Sequence, residues 1–249
     1  MVPARLLETR PDAPPTIDGQ SSGIGLRTSA STTELQITGR DNIPTDATAA
    51  VLNITVTDTQ GPGFITVWPC GTPRPNASNL NYTTGDTIPN LVITKIGTNG
   101  TVCLYTTTNT HLIADINGYY TTGSSFVSLV PARLLETRAD APATIDGQSS
   151  GIGLRTGGST TEVQITGRDN IPADATAAVL NVTVTATQGP GFITVWPCGT
   201  PMPNASNLNY TSGDTIPNLV IAKIGDNGKV CLYTTTNTHL IADINGYTT

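Results

Sequence analysis

Short runs of apolar residues alternate with Thr, Asn and Gln along the whole chain and end at turn-forming residues. In the first half they fall at residues 33–38, 50–57, 64–68, 91–96, 101–106 and 111–117. A period of two reads as strand. Between the runs, Gly61-Pro62-Gly63, Gly71-Thr72-Pro73, Thr84-Gly85-Asp86 and Asn99-Gly100 supply positive φ, fixed φ or local side-chain caps. Residues 5–9 and 80–83 are two shorter candidates. Roughly six to eight strands per ~120 residues, without a helical period, predict an all-β fold: antiparallel β-sandwich, jelly-roll-like, with a closed barrel as the main alternative. Composition agrees, since 45 Thr against four Glu is rich in strand formers and poor in helix formers.

The pattern is written twice. Every residue from Val2 to Thr121 has a counterpart 128 positions later, from Val130 to Thr249, and 14 of the 120 pairs differ. A period this long exceeds the roughly 20–50 residues of a solenoid repeat, so each copy is expected to be a domain with its own core. The expected organisation is a first repeat over 1–121, a linker or lead-in strand over 122–129, and a second repeat over 130–249. The junction starts flexible, at Thr122-Gly123-Ser124-Ser125, and ends in the apolar alternation Phe126-Val127-Ser128-Leu129. If that second half is an extra strand, the first copy is expected to lack the equivalent lead-in, as when two units are cut from a longer array.

Charge narrows the function classes. The net charge is -6, with only 12 Lys and Arg spread thinly, so no basic surface for nucleic acid is expected. Apolar stretches break far short of the ~20 residues of a membrane-spanning helix, so no membrane insertion is expected. Met1 leads straight into Val2-Pro3-Ala4-Arg5 without a charged or apolar leader. Either an export signal has been removed or the chain is cytoplasmic. Cys70 and Cys103 recur as Cys198 and Cys231, one pair per copy at the same spacing. Disulfides within each copy, and thus an oxidising compartment, are the favoured reading, with buried free thiols as the alternative. One His per copy and no metal-ligand spacing leave no zinc site.

Candidate chemistry is sparse. Gly19-Gln20-Ser21-Ser22-Gly23, repeated at 147–151, fits the G-x-S-x-G string of a nucleophile elbow, and His111 with an Asp would complete a triad. An elbow needs a strand before the serine and a helix after it; here Pro14-Pro15-Thr16 precedes and Gly25-Leu26-Arg27 follows. The carboxylates offer no obvious catalytic pair. Asp115 lies among apolar neighbours and needs a partner, for which Arg5 or Arg10 is the candidate. Asp18, Asp41 and Asp86 read as turn formers rather than calcium ligands. No catalytic residue, cofactor or metal is expected.

Trp68, alone of its kind in its copy, is the aromatic candidate for a ligand platform, with Tyr82 beside it in the next segment. Phe64, Thr66 and Trp68 share one face of their strand and Ile65 and Val67 the other, which leaves open whether Trp68 packs inside or faces a ligand.

The strings V-P-A-R-L-L-E-T-R, T-V-W-P-C-G, S-N-L-N-Y and I-A-D-I-N-G-Y-Y occur in that order in the first copy, and nearly unchanged in the second. Together they resemble a repeat found in secreted and surface proteins of actinobacteria and related bacteria, often appended to hydrolases or strung in tandem. The resemblance implies an extracellular, β-rich accessory module and supplies no catalytic residues. The expected function is therefore a non-catalytic binding or adhesion module of the cell exterior. Its partner would be a polysaccharide or cell-surface polymer held by Trp68, Asn76, Asn81 and Tyr82 and by Trp196, Asn204, Asn209 and Tyr210. The first alternative is a structural repeat of a stalk, fibre or filament built by association with neighbouring repeats; the second is a hydrolase, which would need a catalytic cleft that the sequence does not display.

Overall fold

A computed structural model describes residues 4–40, 42–204 and 206–249. The chain divides into two compact units, Met1–Ser124 and Ser125–Thr249. In the first, strands form where the period-two pattern falls: β1 (Ala4–Glu8), β2 (Ser31–Gln36), β3 (Ala47–Thr57), β4 (Gly63–Pro69), β5 (Leu80–Tyr82), β6 (Ile88–Lys95), β7 (Thr101–Thr106) and β8 (His111–Thr121). They make two four-stranded sheets, ordered β1-β8-β3-β6 and β2-β7-β4-β5, with every pairing antiparallel. First pairs with eighth, second with seventh, third with sixth and fourth with fifth, as if one long hairpin had been rolled into a sandwich. This is a jelly roll.

Alternation becomes strand because one face of each run enters a shared core. Ala50, Leu52, Ile54 and Val56 of β3, Leu112, Ala114 and Ile116 of β8, and Ile65 and Val67 of β4 are all fully buried in a single cluster. Each large aliphatic side chain among them contributes about 1.5–3 kcal/mol through burial. The strand β6 begins three residues earlier than its apolar pattern, at Ile88, and carries Pro89 opposite Thr55. Only β3 pairs with β6, so this is an edge strand, where a residue without an N–H is tolerated.

The second unit repeats the arrangement with β9 (Phe126–Glu136), β10 (Ser159–Gln164), β11 (Ala177–Thr185), β12 (Gly191–Pro197), β13 (Leu208–Tyr210), β14 (Ile216–Lys223), β15 (Lys229–Thr234) and β16 (His239–Thr248). Its sheets are β14-β11-β16-β9 and β10-β15-β12-β13. The lead-in at 126–129 is the first part of β9 itself, continuous with the segment that matches β1.

Each unit is stapled once, Cys70 to Cys103 and Cys198 to Cys231, across 33 positions of sequence, and no free cysteine remains. The chain opposite each staple must come very close. A Cβ on Gly97 would lie about 2.2 Å from the Cys70 carbonyl oxygen, so only glycine fits there.

Buried charge is paired. Arg40, 2% exposed, donates to both Asp18 carboxylate oxygens (2.6 and 2.8 Å) and to the carbonyls of Leu6, Gln36 and Gln20. It thereby ties the 18–20 turn to β1 and to the end of β2. Fully buried Glu8 accepts from Arg5 (2.8 Å) and from Arg10 Nε and Nη2 (2.9 and 2.8 Å).

Candidate functional site

Side-chain direction in β4 decides what the β2-β7-β4-β5 sheet presents on the face away from the core. Ile65 and Val67 face the core, so Phe64, Thr66 and Trp68 point outward. Trp68 nevertheless stays only 5% exposed. It packs with Cys70 and Cys103 in a small cluster of its own, and its indole N–H donates to the Thr72 carbonyl at 3.1 Å. Tyr82 points inward, joins the main core, and shares a 2.8 Å hydrogen bond between its hydroxyl and Thr106 Oγ1. Trp196 and Tyr210 repeat both arrangements, with Trp196 Nε1 donating to Thr200 O and the Tyr210 hydroxyl bonded to Thr234 Oγ1. The expected platform therefore needs correction: all four side chains are enclosed, and none offers a ring face for stacking.

The outward aromatics are others. Phe64 and Tyr105 lie with ring centroids 6.5 Å apart and planes tilted by 50°, and both are partly exposed. The Arg74 guanidinium carbon sits 3.6 Å from the Tyr105 ring centroid, a cation–π contact. Asn81 lies directly across from Phe64 in the β4–β5 ladder, so both side chains share the outward face. Its Oδ1 accepts from Ser78 Oγ at 3.0 Å, while its buried Nδ2 has no hydrogen-bond partner among the described residues. Asn76 is exposed in the 70–79 connection that also covers Trp68. In the second unit Phe192 and Tyr233 keep the same 6.5 Å separation at a 51° tilt, Asn209 accepts from Ser206, and Asn204 is exposed. Met202 stands in place of Arg74 and is 48% exposed, so the second platform has a thioether where the first has a cation.

The structure thus brings Asn81 and Asn209 to an aromatic surface built on Phe and Tyr rather than Trp. A signal for this was present in the sequence. Ile65 and Val67 are the more apolar pair of β4, which sends Phe64 outward at the end of the strand away from Cys70.

The remaining polar candidates hold the fold together. Asp115 pairs with Arg5 through two hydrogen bonds of 2.8 and 3.2 Å, and Arg5 also reaches Glu8. Asp18 pairs with Arg40, and Asp86 caps the Thr83 amide at 2.6 Å; Asp41 lies outside the described residues. Ser21 sits in a turn at φ +54°, no helix follows it, and His111 Nδ1 is hydrogen bonded to Thr9 Oγ1 at 2.8 Å. Glu162, Cys198 and Cys231 bring three potential ligand atoms within 4.8 Å of one another. Both sulfurs are joined in a disulfide, which leaves a single carboxylate.

No protein-family model matches the chain, and no curated protein matches it. The two disulfides are consistent with an extracellular environment. Among the described residues no helix is long and apolar enough to cross a membrane.

The paired carboxylates make stability depend on acid. Burial pushes Glu8 upward, but hydrogen bonds from the Arg10 side chain and backbone, with the charges of Arg10 and Arg5, outweigh it and hold the carboxyl below its ordinary 4.5. Glu136 behaves likewise. The Arg40 hydrogen bond holds Asp18 below 3.8, and Arg168 does the same for Asp146. A depressed carboxylate stabilises the fold fully above its unfolded value, and the contribution is lost as pH falls through the folded value. His239, held below 6.5 first by burial and then by Arg138, acts in the same direction from a higher pH. Thermal melts are expected to hold steady from pH 8 to 7, soften below pH 6.5 in the second unit, and drop steeply below pH 4.5. A melting temperature unchanged at pH 3 would contradict this assignment.

Proposed function

We propose that the chain is a non-catalytic, extracellular binding module that engages a polysaccharide or cell-surface polymer through the outward faces of its β2-β7-β4-β5 and β10-β15-β12-β13 sheets. The reading rests on one observation: both copies leave a tilted Phe and Tyr pair on that face, beside an Asn, while enclosing their Trp. Sugar rings present apolar C–H faces to aromatic rings, and amide side chains such as Asn81 and Asn209 supply hydrogen bonds to hydroxyls. Two such sites on one chain raise avidity for a polymer that offers repeated units. Secretion and adhesion follow from the same reading, and the oxidised cysteines support it.

The test is co-sedimentation with a panel of insoluble polysaccharides and bacterial cell walls. Phe64→Ala with Phe192→Ala is expected to weaken retention at least tenfold, since each lost aromatic contact is worth about 0.5–1.5 kcal/mol and the two sites act together. Either substitution alone leaves one weak site and is expected to remove most of the avidity. Retention of every polymer by the double variant at wild-type level would refute the role of these rings.

A further inference from the structure

One cavity of the second unit gathers hydrogen-bond donors and positive charge. Its volume is about 560 Å³, within the range of small-ligand pockets, and it is lined by Arg138, Ala139, Asp140, Ala141, Pro142 and His239. None of these belongs to β12 or β15, the strands that carry Phe192 and Tyr233. Arg138 is oriented by buried Glu136. Its Nε and Nη2 donate to the two carboxylate oxygens at 2.9 and 2.7 Å, which fixes the guanidinium plane and leaves Nη1 without a protein partner among the described residues. His239 is fixed as well. Its Nδ1 lies 2.8 Å from Thr137 Oγ1, which already accepts the Leu240 amide at 2.9 Å. All three groups are satisfied when the Thr137 hydroxyl donates to Nδ1, and this puts the ring proton on Nε2.

Two of the 14 differences between the copies fall here. Where the first copy has Asp58, the second has Ala186, in the same left-handed backbone at φ +52° and +51°. Arg10, the counterpart of Arg138, is held above its ordinary value first by its hydrogen bond to Glu8 and also by the charge of Asp58. The second copy has no such competing carboxylate at this position. On the cavity wall, Ala139 replaces the larger Pro11. A second cation stands close by: Arg155, whose buried Nε has no hydrogen-bond partner among the described residues. The charged groups that act on His239 are Arg138, Arg155 and Glu136. Burial first, then the two arginines, hold the ring below 6.5 against the opposing charge of Glu136.

We propose that this cavity binds a sugar acid, its carboxylate received by Arg138 Nη1 and His239 Nε2 and its hydroxyls by Asp140. A guanidinium edge and an imidazole N–H are matched to a carboxylate. Asp140 on the wall offers only acceptors, so it repels a bare anion but receives hydroxyl protons. Ala139, Ala141 and Pro142 provide an apolar wall for the C–H groups of the ring. Bound carboxylate offsets the charges of Arg138 and Arg155, so binding takes up a proton at His239 near neutral pH. The site does not rest on the aromatic faces and stands or falls independently of them.

The chain has two histidines, one per copy, so their ring proton resonances report the two units separately. Sodium D-glucuronate titrated into the whole protein is expected to shift the His239 resonance saturably, with a dissociation constant on the order of 1 mM, and to leave His111 in place. D-glucose, which lacks the carboxylate, and sulfate, which lacks carbon-bound hydroxyls, should each bind roughly tenfold more weakly. Affinity for glucuronate should rise as pH falls from about 8 to about 6, and His239→Gln, followed by calorimetry, should abolish that rise. Ala186→Asp restores the residue of the first copy in a backbone that accepts it, so the fold is kept; it should weaken glucuronate binding roughly threefold or more. Phe192→Ala should leave the titration unchanged. The proposal is overturned by the absence of a saturable His239 shift, by equal affinity for glucose or for sulfate, by unaltered affinity in Ala186→Asp, or by loss of the shift in Phe192→Ala.

Discussion

Removing the first unit's disulfide, by Cys70→Ala with Cys103→Ala, is expected to lower that unit's stability by about 3–4 kcal/mol through the regained freedom of the unfolded chain. The bridge closes a span of 33 positions that contains β5 and β6 and the connection over Trp68. For a unit of this size the loss corresponds to a drop in melting temperature on the order of 10 °C or more. Calorimetry should resolve it, because the second unit keeps its own bridge and serves as an internal reference. A second readout comes from tryptophan. Trp68 packs against Cys70 and Cys103, so opening that contact should expose the indole and move its emission to longer wavelength. A variant that melts within two or three degrees of the parent would show that packing alone holds this end of the sandwich.

Arg40→Met should be as damaging, at about 3–5 kcal/mol, because breaking a buried pair strands the partner groups in a medium that solvates them poorly. The guanidinium is enclosed, and its loss would leave the Asp18 carboxylate and the carbonyls of Leu6, Gln36 and Gln20 without their donor. Methionine keeps the apolar stem out to about the position of Nε, so the deficit combines the lost polar contacts with the space the guanidinium head vacates. Asp18→Asn, whose site is about a quarter exposed, should cost less, roughly 1–2 kcal/mol, because water can reach the vacated position. Denaturant melts of the two variants give the ranking directly. If Asp18→Asn proved the more destabilising, the guanidinium would be less dependent on its surroundings than its burial indicates.

The same residues show where sequence reading stops. Asp18 sits in Asp18-Gly19-Gln20 and reads as a turn former, which it is: its carboxylate caps the Gln20 amide at 3.1 Å. That it also neutralises an arginine 22 positions away depends on how β1 and the end of β2 meet, and no local pattern encodes that meeting. Asp115 is different. Its apolar neighbours in a period-two run mark it as a carboxylate needing a partner, and Arg5 is found opposite it in the β1–β8 ladder. The aromatic face was half legible. Alternation divides β4 into two faces, but the 70–79 connection folds back to enclose Trp68, so the most prominent aromatic in the sequence is hidden and the less conspicuous Phe64 and Tyr105 remain accessible.

The all-β character, the approximate strand count and the duplicated unit follow from sequence alone, and disulfides within each copy are favoured by it, because a period of two, turn residues and spacing act over short range. Tertiary structure was needed to settle which sheet each strand joins and which aromatic rings are covered. Those outcomes depend on segments far apart in the chain that compete for the same space.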